Sequence, residues 1–255
     1  MLNTNRDKEP QEQYDERGIV EKHTDMKHGD KKNGKTERKK DIGPAILQLK
    51  ITLDQSSPKV WRRILIPPES TFFDLHVAIQ DAMGWTDSHL HAFCIAQKGT
   101  ARSLAIQFPN PDNDWLDDDN LDERIIKISD YLGVAVKQCT YCYDFGDSWD
   151  HTILLEREVP RGENDKYPQC IAGANACPPD DCGGVWGYQN LQRILKNPKH
   201  AEHADMLDWL CIDSASDFDP SEFNLDDIAF ENTSRRLKEY EKGFGIKPLS
   251  KQKKP

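Results

Sequence analysis

Tyr143–His151 reads YDFGDSWDH, a Gly-Asp pair set between VAVKQCTYCYDF on one side and SWDHTILLERE on the other. Both flanking runs alternate apolar and polar residues, which marks two strands, and a tight turn can join them only as an antiparallel hairpin. Gly146 and Asp147 fit a two-residue type II′ turn, whose first central position requires positive φ and so favours glycine. That turn pairs Phe145 with Ser148, Asp144 with Trp149, Tyr143 with Asp150 and Cys142 with His151. Opposed residues share a face, so Cys142, Asp144, Trp149 and His151 are expected on one side and Tyr143, Phe145 and Asp150 on the other. A thiol, a carboxylate and an imidazole would then be neighbours, an arrangement that permits chemistry without requiring it.

Upstream, AILQLKITL alternates Leu47, Leu49, Ile51 and Leu53 with Gln48, Lys50 and Thr52, the period of a half-buried strand. The DQSSP turn and KVWRRILI complete a second hairpin. Thr71 followed by Asp74 resembles a capping box, and Leu75, Ile79, Ala82 and Met83 recur at helical spacing up to Gly84. GWTDSHLHAFCIA reads as a third strand with His89, His91, Phe93 and Ile95 on one face, and RSLAIQF as a fourth. PNPDNDWLDDDN reads as a solvated loop, IIKISDYLG as a short helix, and YPQCIAGANACPPDDCGGVWGY as a loop leading into helices. Helices are expected from Trp186 to Lys196, after the Asn197-Pro198 cap, and after Asp219-Pro220 through Leu225, Ile228 and Leu237. Strands first, helices last, and hairpin connections predict an α+β fold.

Charge is unevenly distributed along the 255 residues. Met1 to Asp41 holds eleven Lys/Arg against ten Asp/Glu and little apolar periodicity, so 1–41 is expected to be a disordered charged arm. Thr233 to Pro255 holds eight Lys/Arg against two Asp/Glu and reads as a basic C-terminal tail. These ends carry +1 and +6, which leaves −17 of the formal −10 for a folded domain over 42–232. Such a body is a poor surface for phosphate backbones, so nucleic acid could be met only through the tails, whereas a basic protein partner suits it. No apolar run approaches the roughly 18 residues of a membrane span, and Met1 is followed by polar sequence. A soluble cytoplasmic protein is expected, in which seven cysteines serve as free thiols or metal ligands rather than disulfides.

Three long motifs, in order, carry a resemblance: WRRILIPPESTFFDLHVAIQDAMGWTDSHLHAF from Trp61, then YDFGDSWDH, then CPPDDCGG from Cys177 followed by WGY. Together they resemble the plasmid pRiA4b ORF-3-like family over about residues 43–230. The resemblance implies a single α+β domain found on bacterial plasmids, chromosomes and mobile elements, with no established biochemical activity. Some relatives carry resolvase-like names; this sequence shows neither a recombinase serine motif nor a basic helix-turn-helix.

Two functional readings follow. His89 and His91, two apart on one strand, stand about 7 Å apart by strand rise, and with Asp144 and His151 they could hold a divalent metal such as zinc, the centre of a hydrolase. The alternative is a polar groove in which these imidazoles bond to aromatic and carboxylate neighbours, with Trp149 and Trp186 as aromatic anchors of a noncatalytic binding or interaction module. Cys170, Cys177 and Cys182 form a C-x6-C-x4-C pattern that reads either as a structural thiol cluster or as small apolar groups in a rigid loop. No P-loop, dinucleotide fingerprint, G-x-S-x-G or H-E-x-x-H motif is present. The binding module is the preferred reading.

Overall fold

In the computed structural model, residues 45–97, 99, 102–109, 120–163 and 165–249 are described. Eight strands form one mixed sheet: β1 (Ile46–Leu53), β2 (Trp61–Ile66), β3 (His91–Ala96), β4 (Ser103–Gln107), β5 (Leu121–Asp122), β6 (Gln138–Tyr143), β7 (Trp149–Val159) and β8 (Gln169–Ala174). Their spatial order is β5-β4-β3-β6-β7-β1-β2-β8, antiparallel throughout except for the β4–β5 pair. Four helices accompany them: α1 (Phe72–Met83), α2 (Gly184–Leu195), α3 (His203–Leu210) and α4 (Thr233–Gly243). This is the expected α+β class.

The alternation seen in sequence is what makes the sheet one-sided. Leu47, Leu49, Ile51 and Leu53 of β1 join Ile64, Phe93, Tyr141, Tyr143, Trp149 and Ile153 in one core with Leu75 and Ile79 of α1 and Tyr188 and Leu191 of α2. On β1, β2 and β7 the opposite face carries a polar network: the Arg63 guanidinium takes Glu156 through two hydrogen bonds of 2.6 and 2.8 Å, and Gln48 donates to the same carboxylate at 2.6 Å. Helix α1 has both expected ends. Thr71 and Asp74 form the reciprocal capping box, worth about 1 kcal/mol, and Gly84 closes the helix in the left-handed region at φ 84°.

The central hairpin departs from its expected register by one residue. Tyr143 pairs with Trp149, Cys142 with Asp150 and Tyr141 with His151, so Cys139, Tyr141, Tyr143, Trp149, His151 and Ile153 share the buried face. Because the side-chain period is two, a slip of one exchanges the faces, and the type II′ pairing would have aimed Asp144 into the core beside Trp149. The connection is instead a five-residue loop. Asp144 at φ 56° and Ser148 at φ 53° supply its left-handed positions, while Gly146 needs none. Asp144 organises it by accepting Gly146 N–H on Oδ1 at 2.9 Å and Ser148 N–H on its carbonyl at 2.7 Å.

Other differences have similarly local causes. Strand β3 begins at His91, so His89 lies before it and the two imidazoles do not share a strand face. The segment read as a cysteine-rich loop contains β8, an edge strand whose pairing with β2 shifts register between Arg63 and Ile64. The short helix near IIKISDYLG is a single 3-10 turn at Ile128–Asp130. The helix after Asn197-Pro198 starts only at His203, because residues 197–202 form turns. The helix expected after Asp219-Pro220 is broken into a turn at Leu225–Asp227 and α4, which Asn232 caps.

Residues 233–246, expected as part of a basic tail, therefore carry an ordered helix and its exit. Leu237, Tyr240, Phe244 and Ile246 pack on Phe73, Val77 and Phe108. The 1–41 arm, the 250–255 end and most of the Asp-rich loop lie outside the described residues. Among the described residues, no helix is long and apolar enough to cross a membrane.

Candidate functional site

Trp85–His89, the WTDSH segment between α1 and β3, is held residue by residue by different parts of the chain. Trp85 Nε1 donates to the Pro178 carbonyl at 3.0 Å, and Thr86 donates through N–H and Oγ1 to Asp180 Oδ2 at 3.1 and 2.7 Å. Asp87, left-handed at φ 58°, turns its carboxylate into the protein, and Ser88 N–H donates to Tyr143 Oη at 3.1 Å. With Leu90 and α4 this segment lines a cleft of ≈ 700 Å³. Loop backbone fixed at each position is a preorganised surface.

Beneath the cleft lies a continuous polar chain. Gln80 Nε2 donates to Tyr141 Oη at 2.9 Å, which meets His76 Nδ1 at 2.9 Å, while His76 Nε2 faces Asp87 Oδ1 at 2.9 Å. Asp87 also accepts from Tyr240 Oη and, at 2.8 Å, from Arg236 Nη1. Beside it His91, stacked on His76 with ring centroids 3.4 Å apart, meets both oxygens of the fully buried Glu123 at 3.0 and 2.9 Å. Burial and the neighbouring His91 ring lower the His76 pKa, which favours a neutral ring donating Nε2–H to Asp87. Burial would raise the Asp87 carboxyl, but hydrogen bonds from His76, Tyr240 and Arg236 outweigh it and hold the group at about 2. Buried charges persist only when paired in this way.

Next to His89, which lines the cleft, the three sequence motifs meet. Gly183 N–H donates to Asp147 Oδ2 at 3.0 Å, and a side chain at Gly184, φ 65°, would place its Cβ 2.3 Å from the Asp147 carbonyl oxygen. Only glycine lets the CPPDDCGG turn approach the hairpin tip this closely. The contact brings Asp181 beside His89: Nε2 lies 3.1 Å from Asp181 Oδ1, and Nδ1 lies 3.7 Å from Asp144 Oδ2. The Nε2 contact is close but lacks hydrogen-bond direction, leaving that nitrogen unbonded. One ligand atom from each of His89, Asp144 and Asp181 fits within a mutual 4.8 Å.

Of the residues singled out in the sequence, His89 and Asp144 come together. His91 belongs to the buried pair with Glu123. His151 is fully buried, its Nδ1 3.3 Å from the Tyr141 carbonyl and its pKa lowered by burial to about 4. Trp149 is fully buried while Trp186 is 77 % exposed on α2, so they do not line one groove. Cys170, Cys177 and Cys182 do not converge as a ligand group among the described residues, and burial raises all three thiols, Cys182 to about 12. Sequence reasoning reaches Asp181 only as one of two adjacent carboxylates, with Asp180, suited to a cap and tight turn, and it does not reach His76, Glu123 or Tyr240. Asp181 looks like turn chemistry in sequence, and His76 sits at a helical core position where period alone does not distinguish imidazole from hydrocarbon.

A one-sided, mostly antiparallel sheet, with a capped helix whose exit segment forms the wall of a charged cleft, defines an α+β domain of the kind the three motifs specify. Residues 45–227 match the family described as plasmid pRiA4b ORF-3-like protein, and the chain belongs to that family. It is 35 % identical over 184 residues to the uncharacterized protein y4hQ of Sinorhizobium fredii, covering 72 % of this chain and 89 % of the relative. A crystal structure of a protein of unknown function from Methanosarcina mazei Go1 is 39 % identical, with TM-score 0.65, covering 73 % of this chain and 98 % of that one.

Proposed function

We propose that the protein is a noncatalytic binding module whose acidic rim, at the WTDSH cleft, receives a positively charged segment of a protein partner. The observation that carries this reading is that Asp144 and Asp181 flank His89 while Asp180 holds the nearby Thr86 and Asp147 holds Gly183, where separate loops interlock at the hairpin tip. Electrostatic complementarity of this kind sets partner choice and encounter rate. The −17 carried by residues 42–232 has the same sign. The imidazole lies between two carboxylates from different loops, with Asp181 3.1 Å from Nε2 and Asp144 3.7 Å from Nδ1.

The second reading is a divalent metal at His89, Asp144 and Asp181, serving hydrolysis. It is favoured by the unbonded Nε2, an in-plane position from which a ring nitrogen can coordinate. One NMR titration separates the two. A short oligolysine peptide is expected to move the His89 ring and Gly183 amide signals, with the response weakened by Asp181→Asn, while equimolar Zn²⁺ leaves them in place. Absence of any peptide response would sink the binding reading. Stoichiometric broadening of His89 by Zn²⁺, lost in Asp144→Asn, would establish the metal reading instead.

A further inference from the structure

The receptor surface for α4 lies inside the family-matched residues 45–227, but α4 itself lies outside them. Its seat is a groove floored by Phe73 and Phe108, with Asp81 and Asp87 as charged walls. Tyr240 sets its ring on the two phenylalanines at centroid distances of 5.4 and 5.1 Å and its hydroxyl on Asp87. One turn earlier, Arg236 divides its guanidinium between Asp87 at 2.8 Å and Asp81 at 3.1 Å. Phe244, one turn later, meets Phe108 at 5.4 Å. Arg, Tyr and Phe at i, i+4 and i+8 are the anchors of a helix lying in a groove, the pattern by which helical peptides are recognised.

We infer that this groove is an exchangeable helix-docking site, filled in cis by α4 and open to a partner helix that presents a basic residue, an aromatic four positions on and another four beyond. Three features separate α4 from an integral core helix. Its buried set is small: only Glu241 is buried, paired with Arg124 at 3.1 Å, and its remaining contacts are half-buried. Ala229–Glu231, which lead into it, make no backbone–backbone hydrogen bonds among the described residues; they are tied by Glu231 N–H on Asp81 Oδ2 at 2.8 Å and by the half-buried Phe230 on the core. The charge is complementary too, since residues 233–255 carry +6 against −17 for residues 42–232. Asp81 and Asp87 are largely buried carboxylates whose guanidinium comes from outside the matched domain, so the domain is built to receive a cation there. The helix seat and the His89 rim border the same cleft, but this test reads the occupancy of the seat and involves none of the rim carboxylates.

The test uses the full chain and a labelled peptide with the sequence of residues 229–249. In the Arg236→Ala/Tyr240→Ala chain the cis helix loses its anchors, and the peptide is expected to bind at least about tenfold tighter than to the unaltered chain, because the competing occupant has been weakened. A peptide carrying the same two substitutions is expected not to bind. Hydrogen exchange on the unaltered chain gives an independent reading: α4 amides are expected to exchange at least about 100-fold faster than those of β1 and β7, through a local opening. Equal peptide affinity for both chains would overturn the inference. So would a substituted chain that cannot fold, or α4 protection equal to that of β1, since each makes α4 part of the cooperative core.

Discussion

His89 and His91 are two residues apart, and each meets carboxylates, yet they occupy opposite physical regimes. His91 is sealed against His76 with Glu123 as its partner at zero exposure, whereas the His89 side chain is 28 % exposed and bridges two loops whose Asp181 is 68 % exposed. An imidazole beside a carboxylate is therefore a structural commitment in one place and an adjustable contact in the other. Water decides the difference: a buried partner cannot be removed without stranding the other, while an exposed one is replaced by solvent.

Removal of Glu123 is expected to have the largest effect. Glu123→Ala should cost about 3 kcal/mol or more in a denaturant melt, because it strands His91 in the interior. A loss as small as that expected for an exposed pair would erase the distinction. Acid comes next. The unfolded His151 binds a proton below its ordinary pKa near 6.5, while the folded ring resists until about 4, so lowering the pH through that window favours unfolding. Stability should fall by up to about 3 kcal/mol between those limits, and His151→Leu should remove that part of the slope. Below it, as the pH falls from the unfolded Asp87 value of 3.8 through about 2, the stabilisation from that depressed carboxylate is also lost.

Glycine substitutions sharpen the comparison at the exposed end. Gly184→Ala should cost about 2 kcal/mol, from positive φ and the collision with the Asp147 carbonyl. Gly146→Ala should stay within about 1 kcal/mol, since its Cβ would meet only the movable Asp144 carboxylate at 3.2 Å. The smallest effect belongs to His89→Ala, under about 0.5 kcal/mol in the same melts, with the oligolysine response reduced. A larger stability loss would make His89 a structural residue like its neighbour.

Most of the framework was legible in sequence because it rests on local patterns. The β1 and β2 alternation, the Thr71–Asp74 box and Gly84 each act within a few residues of themselves. The hairpin existed as read, but its register depended on which face the core would claim, and a Gly-Asp pair does not encode that. Helix α4 was legible only in part: a last helix reaching Leu237 was expected, but TSRRLKEYEKG is so charged that only its seat on Phe73 and Phe108 reveals its inner face and its start. At the rim, His89 and Asp144 were legible as a polar pair, whereas Asp181 joins them only because two glycines allow distant turns to touch. The buried network required knowing that His76, Glu123 and Tyr240 converge from separate elements.

The sheet's two borders carry one more consequence. Among the described residues β5 is only two residues long at one side, and at the other the β8 pairing with β2 contains a break in register between Arg63 and Ile64, so neither described edge presents a long regular row of unpaired amides. Strand addition at the rim needs such a row to guide a newcomer into place. Oligomers of this protein should therefore form through side-chain surfaces, and a concentrated solution should resist fibre growth by stacking of sheets edge to edge.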